Sequence, residues 1–285
     1  RRFEVNSQGQ VKNEVVISRP QQDLGLVLSL DLNLQRKIYD EFTASLNNNK
    51  SIDGAAAVAL DPNNGEVLGL VSWPSFDNNL FSAGITTEDF EKLVKDPQHP
   101  LLNKPISGIY PPGSSIKPLI AAAALEEKII DPKRQIFDTG SLVIPNHYNP
   151  SKPSVFLDWK PHGWVDMIKA IAYSANVYFY MIGGGYGDID GLGISRIGKY
   201  AELFGLGSKT VIDLPAEASG LIPTPQWKAA NKKNDPGWGI GDTYHVSIGQ
   251  GDLLVTPLQL AQVVSAIANG GKIYKPRLVK AYVDK

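Results

Sequence analysis

Hydrophobic and polar positions along this chain predict helices and strands in mixed order. An amphipathic helix is predicted after Asp31, because that carboxylate can cap it and the following apolar residues recur at helical spacing. Two apolar runs, 54–60 and 66–72, flank a Pro/Asn/Gly turn and predict a β-hairpin. Further helices are predicted at 116–128, 164–181, 193–204 and 257–268. The sum predicts an α+β fold in which an antiparallel sheet is flanked by helices.

The two ends of the chain differ in pattern from the middle. Residues 1–24 are polar with strand-like pieces at 3–5 and 14–17, and we interpret them as the tail of a preceding dimerisation or pedestal module. Residues 25–285 are expected to form one domain that is incomplete at its C-terminal end. The stretch 272–279 is expected to lead to a sheet strand that the chain lacks. Residues 1–5 read as the middle of a strand, so we interpret the sequence as a piece of a longer protein.

Composition narrows the class of protein. A hydrophobic fraction of 42% and a charged fraction of 20% are ordinary for a globular protein. The net charge of −1 and the absence of a long basic run argue against a nucleic-acid surface. The chain has no cysteine, which excludes disulfides and thiolate metal sites. No apolar run reaches the length of a membrane helix.

The strongest chemical signal is the run 110–118, Tyr-Pro-Pro-Gly-Ser-Ser-Ile-Lys-Pro. Ser114 lies three residues before Lys117 at a predicted helix start, and residues three apart share a helix face. A buried, neutral lysine could therefore take the proton from the Ser114 hydroxyl and make it a nucleophile. Ser115 is a weaker candidate, because a spacing of two points the side chains to different faces.

A second candidate cluster is Ser174-Ala175-Asn176. On a short loop between helices, Ser174 and Asn176 could both face a cleft. The serine could relay a proton between Lys117 and a leaving amine, and the amide could donate to the surroundings of Lys117 or to a substrate carbonyl. Both could equally be polar residues on a helix surface, and the pairing with the first motif is what favours a catalytic role. Tyr178 and Phe179 are expected to anchor this motif in the core.

Ser-x-x-Lys followed by Ser-x-Asn resembles the serine penicillin-recognising enzymes. Longer blocks resemble class B penicillin-binding proteins, specifically the branch that acts in rod elongation, and they occur in the expected order over nearly the whole chain. The blocks are 74–81, 110–118, 162–163 leading to 174–176, 212–215 with 217–220, and 247–252 with 256–259.

The resemblance implies a peptidoglycan D,D-transpeptidase that β-lactams inhibit. It implies a transpeptidase-domain fold related to serine β-lactamases, with Ser114, Lys117, Ser174 and Asn176 as catalytic residues and no cofactor. Ser114 would attack a stem peptide that ends in D-Ala-D-Ala. The implied partners are a SEDS-type glycosyltransferase and other elongation-complex proteins. The implied location is the cell membrane, with the catalytic domain extracytoplasmic and the anchor outside this chain.

The chain departs from the family at its third motif, Lys-Thr/Ser-Gly. Lys209-Thr210-Val211 lacks the glycine and comes too early, and Gly270-Gly271-Lys272 has the wrong order. We expect the motif beyond Lys285 and expect this piece alone to be an impaired catalyst. Two alternatives stay open, a β-lactamase and a non-catalytic β-lactam sensor or structural protein.

A metal site is the remaining chemical alternative. Asp138, Asp158 and His162 could ligate zinc, but no cysteine is available and Ala175 occupies the nearest place for a fourth ligand. Residues 158–160 are more simply an ordinary loop, so no metal is predicted. The glycine run 183–187 is interpreted as a flexible loop. The tryptophans at 159, 164, 227 and 238 are expected to pack, and the histidines at 99, 147 and 245 are interpreted as isolated loop or strand residues.

Overall fold

The computed structural model describes residues 2–5, 11–15, 24–46, 52–82, 84–146 and 149–284. The helices in these ranges are α1 (Leu32–Leu46), α2 (Thr87–Lys95), α3 (Lys104–Ser107), α4 (Lys117–Glu126), α5 (Met167–Ala172), α6 (Asn176–Gly184), α7 (Gly193–Leu203), α8 (Pro225–Asn231), α9 (Ile240–Ser247) and α10 (Pro257–Ala268). The strands are β1 (Arg2–Val5), β2 (Val11–Val15), β3 (Leu24–Leu28), β4 (Ala55–Leu60), β5 (Val67–Trp73), β6 (Ile136–Asp138), β7 (Ser141–Ile144), β8 (Ser154–Leu157), β9 (Gly163–Val165) and β10 (Val279–Asp284).

Within the described ranges the strands form antiparallel pairs: β1 with β2, β3 with β10, β4 with β5, β6 with β9, and β7 with β8. The predicted hairpin is therefore confirmed. Strand β5 buries alternate residues, as expected for a strand with one face on a core. Helix α1 covers the hairpin, and the Gln35 side chain exchanges two hydrogen bonds with the backbone of Leu70, at 2.7 and 2.8 Å.

The main hydrophobic core lies among α4, α6, α7 and α9. Helix α4 is apolar nearly all round, which is typical of a buried helix, and Leu119 and Ile120 have no exposed surface. Tyr178 and Phe179 are also fully buried, which confirms their expected role as core anchors. Helices α6 and α9 approach closely because Gly183 leaves no side chain between α6 and Ser247.

The structure corrects the prediction of one helix over 164–181. Residues 164 and 165 belong to β9, and the helical stretch divides into α5 and α6 at residues 173–175. Asp166 starts α5 because its carboxylate accepts from the backbone N–H of Lys169 at 2.9 Å. The predicted loop at 183–187 is also partly wrong, since α6 continues through Gly184.

The helices predicted after Asp31 and at 116–128, 193–204 and 257–268 are confirmed as α1, α4, α7 and α10, with small shifts at their ends. The expectation that 272–279 leads to an absent strand is wrong as stated, because β10 follows and pairs with β3. Asp213 fixes the start of β10 by accepting from the N–H groups of Leu278 and Val279, both at 2.7 Å.

Strands β1 and β2 match the strand-like pieces near the N-terminus, and residues 16–17 of the second piece lie outside the described residues. The division at residue 24 stays a prediction. No helix in the described part of the chain is both long and apolar enough to cross a bilayer.

Candidate active site

Ser114, the predicted nucleophile, lies in a single 3-10 turn, Gly113–Ile116, which leads directly into α4. We call this segment the nucleophile turn. It rests on the turn after α9, where the backbone N–H of Gly113 donates to the carbonyl of Gly249 at 2.8 Å. Ser114 is exposed, and no described hydrogen bond occupies its hydroxyl. The Ser115 hydroxyl instead donates to the carbonyl of Pro112. Of the two serines, Ser114 is therefore the one available for attack.

Lys117 points inward from the first turn of α4, and only 1% of it is exposed. Its Nζ donates to the carbonyl of Ser174 at 2.8 Å, to Ser174 Oγ at 3.0 Å and to Asn176 Oδ1 at 2.7 Å. The ring of Phe179 lies 5.3 Å from the same nitrogen. The two sequence motifs therefore meet at one lysine amine.

Burial lowers the pKa of Lys117 from 10.5 to about 8, and the charge of Asp158 opposes that shift. Desolvation acts in this direction because the charged ammonium loses its hydration. With a pKa near 8, about a tenth of the amines are neutral at pH 7, against less than a thousandth for an ordinary lysine. A lysine in this state can act as a base toward a serine hydroxyl.

Ser174 lies in the break between α5 and α6 and has a positive φ of 55°. A left-handed serine is uncommon, and such backbone conformations persist where the surroundings hold them. Here the N–H of Ala175 donates to the carbonyl of Ala170 at 2.9 Å, which closes the turn. This conformation lets both the carbonyl and the hydroxyl of Ser174 face Lys117.

The predicted catalytic residues therefore come together to different degrees. Lys117, Ser174 and Asn176 share direct side-chain hydrogen bonds. Ser114 and Lys117 are joined through the backbone, where the N–H of Lys117 donates to the carbonyl of Ser114, and no described hydrogen bond links the Ser114 hydroxyl to the Lys117 amine. Catalytic hydrogen bonds are often absent in a site without substrate. The interpretation of Ser174 and Asn176 as helix-surface residues is not supported, since Lys117 occupies both side chains.

Asp158 is a residue that the sequence analysis placed in an ordinary loop. It does lie in a loop, directly after β8, but its carboxylate has no exposed surface. Its Oδ2 accepts from the N–H of Val177 at 2.9 Å, so it caps the start of α6 just after Asn176. Its Oδ1 accepts from the N–H of Trp159 at 2.7 Å. The signal that could have found it is an acidic residue directly after an apolar strand.

Asp138, Asp158 and His162 are brought together as a cluster, with one ligand atom from each lying within 4.8 Å of the others. Asp138 Oδ2 and His162 Nε2 are buried without a described hydrogen-bond partner. Burial raises the pKa of Asp138 to about 6, and the adjacent Asp158 carboxylate adds to that shift. Two carboxylates and an imidazole could hold a cation. Buried Ala175 adds no ligand atom, and the absence of a metal stays a prediction.

The structure also corrects the expected packing of two tryptophans, since Trp159 and Trp164 are mostly exposed. His245 lies in helix α9 instead of a loop or strand. His147 lies outside the described residues. Gly249, which sequence reasoning quoted only as part of a longer block, proves to support the nucleophile turn.

Comparison with known proteins places this geometry in a family. Residues 55–285 match the penicillin binding protein transpeptidase domain. The chain is 40% identical over 281 residues to the peptidoglycan D,D-transpeptidase MrdA of Haemophilus influenzae, which covers 98% of this chain and 40% of that protein. The chain thus spans about two fifths of the length of this curated relative.

Two solved structures are similar over most of the chain. The Pseudomonas aeruginosa PBP2 in complex with WCK 5153 has a TM-score of 0.75 at 34% identity, covering 90% of this chain and 54% of that one. A complex between PBP2 and MreC from Helicobacter pylori has a TM-score of 0.77 at 32% identity, covering 99% of this chain and 49% of that one. The matched residues, the shared fold and the meeting of the Ser-x-x-Lys and Ser-x-Asn motifs agree, and the chain belongs to the penicillin-binding protein transpeptidase family.

Proposed function

We propose that this chain is part of a peptidoglycan D,D-transpeptidase that cross-links stem peptides through an acyl-enzyme on Ser114. The observation that carries the proposal is the buried Lys117 amine, which joins Ser174 and Asn176 one helical turn from an exposed serine. The similarity to curated D,D-transpeptidases supports the same reaction. In this proposal residues 1–24 end a preceding module and 25–285 belong to the transpeptidase domain.

The first half-reaction acylates the enzyme. Ser114 Oγ attacks the penultimate D-Ala carbonyl while the neutral amine of Lys117 accepts the hydroxyl proton. The oxyanion forms at the positive end of the turn and helix that begin there. The amide C–N bond then breaks, and the terminal D-Ala leaves as an amine with a proton passed from Lys117 through Ser174 Oγ. The 3.0 Å hydrogen bond between these two groups supports that path.

The second half-reaction releases the acyl group to an amine of a second stem peptide. The amine attacks the ester carbonyl, a new amide C–N bond forms, and the bond to Ser114 Oγ breaks. The proton from the amine returns through Ser174 and Lys117 to the serine oxygen, which restores the starting state. A β-lactam would enter at the first step, because its strained amide acylates the same hydroxyl.

The test is covalent labelling of the full-length protein with a fluorescent penicillin. Stable labelling that disappears in Ser114→Ala and largely persists in Ser115→Ala is expected. Rapid release of the label with penicillin hydrolysis would indicate a β-lactamase. No labelling of a folded wild-type protein would indicate a non-catalytic protein and refute the proposal.

We further propose that the full-length protein is membrane-anchored, with this domain outside the cytoplasm, because cell-wall stem peptides are found there. The solved complex of PBP2 with MreC supports protein partners of the elongation complex. A SEDS-type glycosyltransferase is a further proposed partner, and a similar solved structure, of a peptidoglycan synthase complex that coordinates polymerization and crosslinking, is consistent with it. The encoded sequence upstream of Arg1 tests the anchor. An apolar segment of about twenty residues is expected there.

A further inference from the structure

An exposed aromatic surface lies directly beside the Ser174 loop. Tyr173, which precedes Ser174, is 50% exposed, and Trp159 is 61% exposed. The indole Nε1 of Trp159 donates to the carbonyl of Tyr173 at 3.3 Å. We call Trp159, Lys160 and Tyr173 the aromatic platform. The platform therefore directly adjoins Ser174, which accepts hydrogen bonds from the Lys117 amine.

The buried residues His162 and Asp158 contact the aromatic platform from the protein interior. The His162 ring stacks on Tyr173 at 6.0 Å between centroids and 8° between planes, and it meets the edge of Trp159 at 5.0 Å. The His162 side chain is 2% exposed. Asp158 accepts from the backbone N–H of Trp159. Large rings left in water but fixed by buried polar groups offer contact area at low entropic cost, which is typical of a binding surface.

The platform combines apolar area with positive charge. Lys160 Nζ lies 4.4 Å from the centroid of the Trp159 ring, and the lysine is exposed. Helix α5, which ends directly before Tyr173, also exposes Ile168 and Ile171, which are 77% and 40% exposed. A ligand with an apolar or peptide portion and a carboxylate complements this surface in both properties.

Reaction symmetry indicates which substrate portion approaches here. In the proposed reaction the departing amine takes its proton from the Ser174 side. The attack of the incoming amine is the reverse of such a departure, so it follows the same path. A stem peptide that delivers this amine must lie beside Ser174, where the platform is located.

We propose that Trp159, Lys160 and Tyr173 bind the acceptor stem peptide, with its carboxylate near Lys160 and its apolar atoms on the two rings. This inference rests on the proposed transpeptidase function. It assigns the platform a role in the second half-reaction, in which the amine of the acceptor must be held beside Ser174. The platform is therefore a determinant of acceptor specificity.

The experiment uses full-length protein acylated by a thioester analogue of the D-Ala-D-Ala donor. Partition of the acyl-enzyme between hydrolysis and aminolysis is measured by chromatography with two amines. One is a synthetic stem tripeptide with a side-chain amine and a free carboxylate, and the other is glycinamide. Trp159→Ala and Lys160→Glu are each expected to reduce aminolysis by the tripeptide about tenfold and to change aminolysis by glycinamide less than about twofold.

The matched control is the Lys232–Trp227 pair, in which Lys232 Nζ lies 5.8 Å from the ring centroid of Trp227. Trp227→Ala and Lys232→Glu are expected to leave both partitions unchanged. If the platform variants are labelled normally by penicillin and their partition between hydrolysis and aminolysis by the tripeptide is unchanged, the inference is wrong. The proposed transpeptidase function would be unaffected by that result. An equal loss with both amines would also overturn it, since the platform would then only support the site. Absence of any acyl-enzyme in the wild type would refute the proposed function and the inference with it.

Discussion

Replacement of Gly249 by alanine tests how the fold positions the nucleophile. A Cβ on Gly249 would lie 2.7 Å from both the carbonyl carbon and the nitrogen of Gly113, and nearer still to the Gly113 oxygen. Ordinary contacts of a Cβ lie at 3.4–4 Å. Because backbone atoms form both sides of this contact, the Gly113–Ile116 turn must move by about 1 Å, and a displacement of this size near a reacting group costs about a hundredfold in rate.

The same substitution also strains the backbone, since Gly249 has a φ of 75°. A left-handed alanine costs about 1–2 kcal/mol in stability. Gly251→Ala is the matched control because its φ is 70° and its added Cβ would meet only the Cβ of His245, at 3.3 Å. Both variants should therefore carry similar backbone strain, while only Gly249→Ala should displace Ser114.

The assay is the second-order rate of acylation by a fluorescent penicillin, measured together with the melting temperature of each full-length variant. Gly249→Ala is expected to acylate about a hundredfold more slowly than wild type, equivalent to about 2.7 kcal/mol of activation free energy. Gly251→Ala is expected to stay within a fewfold of wild type. Equal acylation rates for two folded variants would refute the reasoning that Gly249 sets the position of the nucleophile turn.

Three further expectations follow from the site and its surroundings. Lys117→Arg should abolish acylation nearly as fully as Lys117→Ala, since arginine stays protonated; near-wild-type acylation by the arginine variant would contradict the role of base. The acylation rate should rise as pH increases through about 8, because the pKa of Lys117 is about 8 and only the neutral form accepts a proton; a rate independent of pH between 6 and 9 would argue against this. Glu217→Ala should lower the free energy of unfolding, measured by denaturant titration, by about 3 kcal/mol. The reason is that the buried carboxylate accepts from the N–H of Thr210 at 2.7 Å and from that of Val211 at 2.9 Å. Glu217→Gln should retain part of this stability, and an unchanged denaturation midpoint for the alanine variant would contradict the structural role.

Local patterns in the sequence determined several elements by themselves. Helix α10 was predicted at 257–268 and occupies those residues. A capping box fixes its start, because the Thr256 hydroxyl accepts from the N–H of Gln259 and the Gln259 side-chain oxygen accepts from the N–H of Thr256. The β4–β5 hairpin followed from two apolar runs around a turn. Ser114 and Lys117 were paired by spacing alone, since neighbours in one helical turn need no distant part of the chain to bring them together.

The break between α5 and α6 was decided by tertiary contacts instead. The stretch 164–181 has a helical hydrophobic pattern, yet Lys117 holds Ser174 in a left-handed conformation through two hydrogen bonds. Asp158, distant in sequence, caps the new helix start. Hydrogen bonds between residues far apart in sequence outweigh the local helix propensity here. The hydrophobic periodicity of the sequence does not indicate such hydrogen bonds.

Burial of individual polar and aromatic residues was likewise decided only by the tertiary structure. The sequence suggested that Trp159 packs, and the structure shows its ring exposed. The sequence correctly placed Asp158 in a loop, but it did not indicate that the carboxylate is buried. The pKa of Lys117 depends on the same property, since desolvation by the surrounding core sets it near 8. Residue type and spacing therefore specified which groups could react, while their ionisation and accessibility arose from the packing of distant segments around them.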